Sequence, residues 1–184
     1  MNNKDKFDKY KQLLIEWSAK MNLVAPSTLN DIETRHFADS AQLADVLPTD
    51  VNIVDLGSGA GFPGIVLAIL GWNVTCIESI GKKALFLNTV KKELKLPNLT
   101  IFNGRVEDYI KTMSDDNIVF TARAFAPLIK ILDYTHSKNS RLFLLKGRQI
   151  ESEIDTAKTK YKFKHTLIPS KTGDGYIIII QKDR

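Results

Sequence analysis

The chain has 184 residues, of which 43% are hydrophobic and 26% are charged. This length predicts one domain with at most a small appendage, and this balance excludes a largely disordered chain. The net charge of +5, from 26 basic against 21 acidic residues, favours a polyanionic partner such as nucleic acid.

The first fifty residues predict two amphipathic helices. Apolar residues recur at helical spacing over 5–23 and again over 31–46, and Pro48 ends the second pattern. The first fifty residues include six basic and eight acidic ones, a balance of −2, so the rest of the chain carries +7. We therefore expect a helical cap, residues 1–48, ahead of a basic ligand-binding body, residues 49–184.

From residue 51 onward, short β-branched runs alternate with helical patterns. The predicted elements are strand 51–56, helix 62–70, strand 74–78, helix 81–95, strands 99–102 and 118–122, helix 127–134, strand 141–145, helix 150–159, and strands 162–168 and 176–181. This alternation predicts an α/β fold whose mostly parallel sheet is covered by helices on both faces. The last two strands flank Gly173-Asp174-Gly175, which predicts an antiparallel hairpin.

The most informative stretch is the turn Asp55-Leu-Gly-Ser-Gly-Ala-Gly-Phe-Pro-Gly64. It follows the first strand and precedes the first helix of the body, at the sheet edge where open α/β folds bind ligands. Glycines at such a place let the backbone turn tightly and let a ligand lie against bare main chain.

Two cofactors compete for this turn. Gly59, Gly61 and Gly64 fit the G-x-G-x-x-G spacing of dinucleotide binders. Asp55 followed by Gly57, Gly59 and Gly61 fits the acid-x-G-x-G-x-G turn of S-adenosylmethionine (SAM) methyltransferases. Three points favour SAM. The acid suits a cationic ligand, the proline removes an amide that a phosphate would need, and the body leaves little room for a substrate-oxidising domain.

Four further residues stand where predicted strands end. Glu78 closes the second strand, where a carboxylate can accept hydrogen bonds from ribose hydroxyls. Val106 and Glu107 follow the third strand, where an apolar residue could cover adenine and an acid could meet its amine. Arg123 ends the fourth strand and could bind the SAM carboxylate or an RNA phosphate. The plainer interpretations are a helix-capping acid, a surface acid and an inter-element salt bridge.

This sequence lacks the residues that several kinds of methyl transfer require. Amino-group methyltransferases carry Asn/Asp-Pro-Pro-Tyr/Phe after the fourth strand, where this chain has Thr-Ala-Arg-Ala-Phe at 121–125. The single cysteine, Cys76, is centred in an apolar strand and is expected in the core. No histidine cluster or paired-cysteine motif supports a metal. The acceptor should therefore already be nucleophilic, as guanine N7 is, and need only positioning and electrostatics.

No targeting or membrane segment is apparent. A charged start has no apolar signal core behind it, and the longest apolar runs, such as Ile65–Leu70 and Ile177–Ile180, are short. A membrane span needs ~20 such residues. We therefore expect a cytoplasmic protein with neither a membrane partner nor a metal.

Taken in order, seven motifs make the chain resemble the RsmG (GidB) family, the bacterial 16S ribosomal RNA guanine-N7 methyltransferases. The similarity runs from about Trp17 to Ile180. The matching motifs are Trp17–Leu23, Arg35–Ser40, Asp55–Ile65, Glu78–Lys83, Arg105–Glu107, Arg123–Ala126 and Leu145–Gly147.

The resemblance implies a class I SAM-dependent methyltransferase (Rossmann-like) fold with an N-terminal helical extension. It implies methyl transfer from SAM to N7 of guanine 527 (RNA numbering) in the 530 loop of 16S rRNA, in the 30S subunit or its precursor. The motifs together give the SAM contacts as Gly57, Gly59, Gly61, Phe62, Glu78, Val106, Glu107 and Arg123. The candidates for a catalytic role are Arg123, His36 and Lys146. The alternatives are a non-catalytic SAM- or nucleotide-binding RNA module and an NAD-dependent oxidoreductase.

Overall fold

A seven-stranded sheet forms the centre of the computed structural model, which describes residues 1–114 and 117–182. The strands lie in the order β3-β2-β1-β4-β5-β7-β6. Their bounds are β1 Asn52–Leu56, β2 Asn73–Glu78, β3 Leu99–Asn103, β4 Ile118–Arg123, β5 Arg141–Lys146, β6 Phe163–Pro169 and β7 Tyr176–Lys182.

Strands β1 to β5 run in parallel, and β7 is antiparallel to both β5 and β6. The chain moves outward from β1 to β3 on one side and then returns to add β4 and β5 on the other. The carboxyl ends of these strands therefore meet at one edge, with a crevice at the β1–β4 reversal. The predicted mostly parallel sheet and C-terminal hairpin are confirmed, although the hairpin connection spans residues 170–175 and is not a tight turn.

In the described part of the chain, six helices cover the sheet, three on each face. They are α1 Asn3–Ser18, α3 Gly64–Ile69, α4 Gly81–Glu93, α5 Val106–Thr112, α6 Leu128–Thr135 and α7 Ile150–Lys158. Helices α1, α3 and α4 share one apolar core with the sheet, and α5, α6 and α7 share the other. Helix α5 was not predicted, because it is short and buries only Val106 and Ile110.

The N-terminal region is less regular than predicted. Helix α1 ends at Ser18 and not at residue 23, because Met21 and Leu23 pack against the core from the following loop. The predicted continuous helix over 31–46 is also wrong in detail. It consists of a 3-10 turn Pro26–Asp31, a π turn Glu33–Ala38, the single α turn α2 Asp39–Ala41 and a 3-10 turn Gln42–Asp45. A π turn within a helix is frequent at functional sites.

Helix α1 contacts the glycine-rich turn directly. The Tyr10 hydroxyl donates a 2.6 Å hydrogen bond to the carbonyl of Ala60 and is fully buried. The Tyr10 ring also packs against Phe37 and Phe62, with ring centroids 5.3 and 5.4 Å apart. The cap and the body therefore share packing, and the boundary near Pro48 stays a prediction. Among the described residues, no helix is long and apolar enough to cross a membrane.

Replacing Leu14 by alanine should lower the free energy of unfolding by about 2–5 kcal/mol, because Leu14 is fully buried on the core-facing side of α1. The matched control is Ile15→Ala on the same helix, where the side chain is 45% exposed and the loss should stay below about 1 kcal/mol. Urea unfolding of both variants measures the difference. Equal losses would contradict this orientation of the helix.

Candidate functional site

The glycine-rich turn lies at the carboxyl end of β1, and its backbone is left-handed at three glycines. Gly57, Gly59 and Gly61 have φ values of 65°, 58° and 98°. A Cβ on Gly59 would meet nothing closer than the carbonyl oxygen of Gly57, at 3.9 Å, whereas a Cβ on Gly61 would lie 2.6 Å from the Tyr10 hydroxyl. Gly59 therefore presents bare main chain to open space, and Gly61 is required by packing.

Asp55 does not face a ligand, contrary to the expectation that this acid serves a cationic one. Its side chain is fully buried. Oδ2 accepts a 3.2 Å hydrogen bond from the amide of Gly64, and Oδ1 accepts one of 3.3 Å from the Thr121 hydroxyl. Burial raises the pKa of this carboxyl to about 6, although these donors oppose the rise. Asp55 therefore ties the two ends of the turn together.

Glu78 holds the middle of the same turn. Its carboxylate is 5% exposed, and Oε2 accepts a 2.8 Å hydrogen bond from the amide of Gly59. Oε1 accepts one of 2.7 Å from the amide of Ile80. Each oxygen of a carboxylate can accept a second hydrogen bond. The contact with a ribose hydroxyl remains a prediction that this geometry allows.

Val106 and Glu107 lie one strand further along the same edge. Val106 is the first residue of α5 and is 5% exposed, whereas Glu107 is half-buried. The end of β3 is fixed to the end of β2, since the amide of Gly104 and the side-chain amide of Asn103 both donate to the carbonyl of Glu78. The glycine turn, Glu78 and the start of α5 thus form one surface, the donor groove.

Arg123 joins the sheet to the N-terminal region. Its Nη1 donates hydrogen bonds to the carbonyl of Arg35 (2.8 Å) and to Asp39 Oδ2 (2.9 Å). Its Nη2 lies 2.6 Å from His36 Nδ1, and the guanidinium carbon lies 4.9 Å from the Phe62 ring centroid. The predicted salt bridge between elements is therefore present, and a contact with SAM or phosphate stays a prediction.

His36 is buried and electrically neutral. Burial first, and then the nearby Arg123, lower its pKa to about 4. Because Arg123 donates to Nδ1, the proton of the neutral ring sits on Nε2, which donates to the Thr28 hydroxyl at 2.8 Å. Phe62 stacks on this ring with centroids 4.9 Å apart. Both nitrogens are occupied, so His36 holds no free lone pair for proton abstraction.

Phe62 was expected to contact SAM. Its side chain is 4% exposed and is packed between His36, Arg123 and the aromatic rings of the N-terminal helices. Its main chain lies in the glycine turn, where its amide donates to the carbonyl of Ser58 at 3.3 Å. A contact between Phe62 and a cofactor is therefore proposed through the main chain.

Lys146, at the end of β5, is paired with an acid that the sequence analysis did not single out. Its Nζ lies 2.6 Å from Glu153 Oε2 and donates to the carbonyl of Ala126 at 2.9 Å. Glu153 Oε2 also accepts a 2.6 Å hydrogen bond from the amide of Leu128. The side chains of Lys146 and Glu153 are 10% and 27% exposed, so the pair is largely shielded from water.

Asp39 was also missed as a site residue, although it lies in the motif Arg35–Ser40. Its Oδ2 binds Arg123, and its Oδ1 accepts hydrogen bonds from the Thr172 hydroxyl (2.8 Å) and from Gln42 Nε2 (2.9 Å). The carboxylate therefore fixes Arg123 and the hairpin loop 170–175 relative to each other. The position of Asp39 relative to Arg35 in this motif could have identified it from the sequence. No local sequence pattern points to Thr172 or Glu153.

A cavity of about 530 Å³ lies next to the donor groove, which we name the acceptor cavity. Its walls are the N-terminal segment, the ends of β4 and β5, helix α7 and the hairpin loop. The lining includes Arg35, His36, Asp39, Arg123, Lys146 and Glu153. The three catalytic candidates thus come together here, whereas Gly57, Gly59, Glu78 and Val106 do not line it. No group of three or more metal-binding side chains occurs in 1–114 and 117–182.

Proteins of known name match almost the whole chain. The GidB family, described as rRNA small subunit methyltransferase G, matches residues 3–174. A ribosomal RNA small subunit methyltransferase G from a Bradyrhizobium species is 40% identical over 185 residues, covering 95% of this chain and 82% of the relative. One from Gluconobacter oxydans is 36% identical over 183 residues, covering 97% of this chain and 93% of the relative.

Solved structures share the fold at low sequence identity. An rRNA methylase from Streptococcus thermophilus superposes with a TM-score of 0.58 at 14% identity, covering 79% of this chain and 94% of that one. A mutant of MtNAS in complex with S-adenosylmethionine superposes with a TM-score of 0.63 at 15% identity, covering 99% and 76%. The expected class I methyltransferase fold is thereby confirmed.

The buried carboxyl of Asp55 should make stability fall as the pH rises. Its pKa is about 6 in the folded protein and near 3.8 when unfolded, so the unfolded chain loses this proton first. The free energy of unfolding should therefore drop by roughly 2 kcal/mol between pH 4 and pH 7 from this group alone.

Asn in place of Asp55 removes this titration, so the stability of Asp55→Asn relative to the parent should rise by that amount over the same range. Urea unfolding from pH 4 to pH 7 measures it, with the exposed Asp50→Asn as control. A difference that stays constant with pH would contradict the raised pKa.

Proposed function

Because the chain belongs to the GidB family, the rRNA small subunit methyltransferases G, we propose that it methylates N7 of guanine 527 in 16S rRNA. The methyl donor is SAM, and the substrate is the 530 loop in the 30S subunit or its precursor. The observation that carries the proposal is the donor groove, where open main chain at Gly59 lies beside the carboxylate of Glu78.

The residues of the donor groove fit SAM. Gly59 supplies main chain that can be approached closely, whereas Gly57 gives the turn its left-handed backbone and is covered by the ring of Phe125. Glu78 keeps acceptor capacity for ribose hydroxyls. Val106 and Glu107 offer an apolar surface and a half-buried acid one strand away, where an adenine would lie. Bound SAM supplies a methyl group activated by the sulfonium.

The same turn suits a pyrophosphate poorly, which argues against an NAD-dependent oxidoreductase. Pro63 has no amide to donate at the start of α3. The amide of Gly64, the next along the helix, is already bonded to Asp55. A dinucleotide fingerprint requires donors at this helix start for its phosphates, and here they are missing or occupied.

The polar groups near the β1–β4 crevice suit an acceptor that needs no deprotonation. His36 is neutral with both nitrogens engaged, and Lys146 is held in an ion pair with Glu153. Neither group is available as a general base. Guanine N7 carries a lone pair in the plane of the ring, so alignment with the donor and the electrostatics of the site are sufficient for transfer.

Incubation with tritiated SAM and either 30S subunits or naked 16S rRNA tests this function. Borohydride and aniline cleavage at 7-methylguanine should place the label at guanine 527. Label elsewhere in the RNA would reject the proposed target. Binding of SAM and of RNA without turnover would instead support the non-catalytic RNA module, and binding of NAD without SAM would support the oxidoreductase.

Alanine at Gly59 should weaken SAM binding at least about tenfold, a loss of ~1.4 kcal/mol, because its methyl group would project into the donor groove. The control is Gly71→Ala, whose φ of 114° is also left-handed and whose Cβ would also meet nothing within 4 Å. Both variants should lose about 1 kcal/mol or more of stability from backbone strain. Titration calorimetry measures the affinity, and equal SAM affinities for the two variants would contradict the placement.

A further inference from the structure

We propose that the acceptor cavity holds the target guanine and that Glu153 recognises the base through its second carboxylate oxygen, Oε1. This inference rests on the proposed function, and it adds a binding pocket and a specificity-determining residue. The family resemblance did not point to this residue, since Glu153 lies outside all seven motifs.

The position of the cavity suits an acceptor base. Its volume of about 530 Å³ lies within the ~300–1,000 Å³ range of small-ligand sites. It opens at the ends of β4 and β5, whereas the donor groove lies at the ends of β1, β2 and β3. Arg123 stands between the two. A nucleotide turned out of the RNA into this cavity would therefore reach the donor from the side.

Glu153 has one oxygen committed and one available. Oε2 accepts a 2.6 Å hydrogen bond from the amide of Leu128 and forms an ion pair with Lys146 Nζ, also at 2.6 Å. Oε1 makes no hydrogen bond within the described residues, and the side chain is 27% exposed where it lines the cavity. The two contacts at Oε2 fix the orientation of the carboxylate, so Oε1 is held in place as a hydrogen-bond acceptor.

The other carboxylates of this cavity are less suited to read a base. Asp39 uses both oxygens, with three donors from Arg123, Thr172 and Gln42. Asp174 is 70% exposed and paired with Arg148 at the rim. Glu153 is therefore the acid that combines shielding from water with an unused acceptor.

Guanine is the base that matches such an acceptor. Its N1–H and its N2 amine both donate and point in the same direction, so one oxygen can accept from both. Adenine presents an acceptor at N1 and no amine at C2, which would leave Glu153 Oε1 facing a lone pair. The N2 amine and N7 lie on opposite sides of the purine. A guanine held from the β5 side therefore turns N7 towards β4 and the donor groove.

The charge of Glu153 also suits the reaction. Methyl transfer moves the positive charge of the sulfonium onto the guanine ring, which becomes a cation as the N7–carbon bond forms and the sulfur–carbon bond breaks. A carboxylate bonded to N1–H and N2 stabilises this cation more than the neutral base. Loss of the negative charge should thus lower kcat as well as raise KM.

Glutamine at this position gives a directional test. The amide of Leu128 donates to Oε2 and the Lys146 cation lies against the same oxygen, so the amide oxygen of a glutamine would take the place of Oε2. The amide nitrogen would then replace Oε1 and present a donor to the donors of guanine. Glu153→Gln should therefore lower kcat/KM for rRNA at least about tenfold, with an unchanged Kd for SAM. The control is Glu151→Gln, an exposed acid on the same helix, which should behave like the parent.

A second substrate separates recognition from a structural effect. 16S rRNA assembled by splinted ligation with inosine at position 527 lacks only the N2 amine. The parent enzyme should lose at least about tenfold in kcat/KM on inosine, whereas Glu153→Gln should lose little further, giving a non-additive cycle. Equal penalties in both enzymes, or a parent enzyme indifferent to inosine, would overturn this role of Glu153. A parent enzyme inactive on guanine would instead refute the proposed function.

Discussion

The guanidinium of Arg123 is the contact on which the geometry of this edge depends. It is the last residue of β4, yet its hydrogen bonds go to a carbonyl, a carboxylate and an imidazole of the N-terminal segment. A charge that is 18% exposed needs such partners, because an unpaired buried cation would cost several kcal/mol. The pairing therefore forces residues 35–39 to lie over the end of the sheet. It also places Asp39 where it binds the hairpin loop through Thr172.

Two buried carboxylates act in a similar way on the glycine-rich turn. Asp55 binds the amide of Gly64, and Glu78 binds the amide of Gly59, so each acid satisfies a backbone donor that the left-handed turn leaves without a helical or sheet partner. The turn is thus held from beneath, and its outer face stays free of side chains at Gly59. An acid that the sequence suggests as a ligand-binding residue can therefore act indirectly, by holding in place the main chain that would contact the ligand.

The sequence predicted the sheet, its parallel body and the glycine-rich turn, because alternating periodicity and glycine spacing are local signals. It did not predict the π turn at Glu33–Ala38, where the carbonyl of Arg35 bonds to a strand 88 residues away. The pair Lys146–Glu153 was missed for a related reason. An isolated acid on a polar helix resembles any solvated residue until the fold brings it beneath the end of β5. Contacts between different elements of the fold, which periodicity does not encode, account for both failures.

The residues proposed to bind the methyl donor and those proposed to bind the acceptor lie on different parts of the sheet edge. The donor groove is built on β1, β2 and β3 and holds its acids under the main chain, whereas the acceptor cavity is built on β4, β5 and the N-terminal segment and turns paired charges towards its interior. Phe62 touches both, since its main chain belongs to the glycine-rich turn and its ring lies against His36 and Arg123. A displacement of the N-terminal segment would therefore disturb the turn as well as the cavity. For this reason the helical extension is better regarded as one wall of this cavity than as a separate appendage to the body.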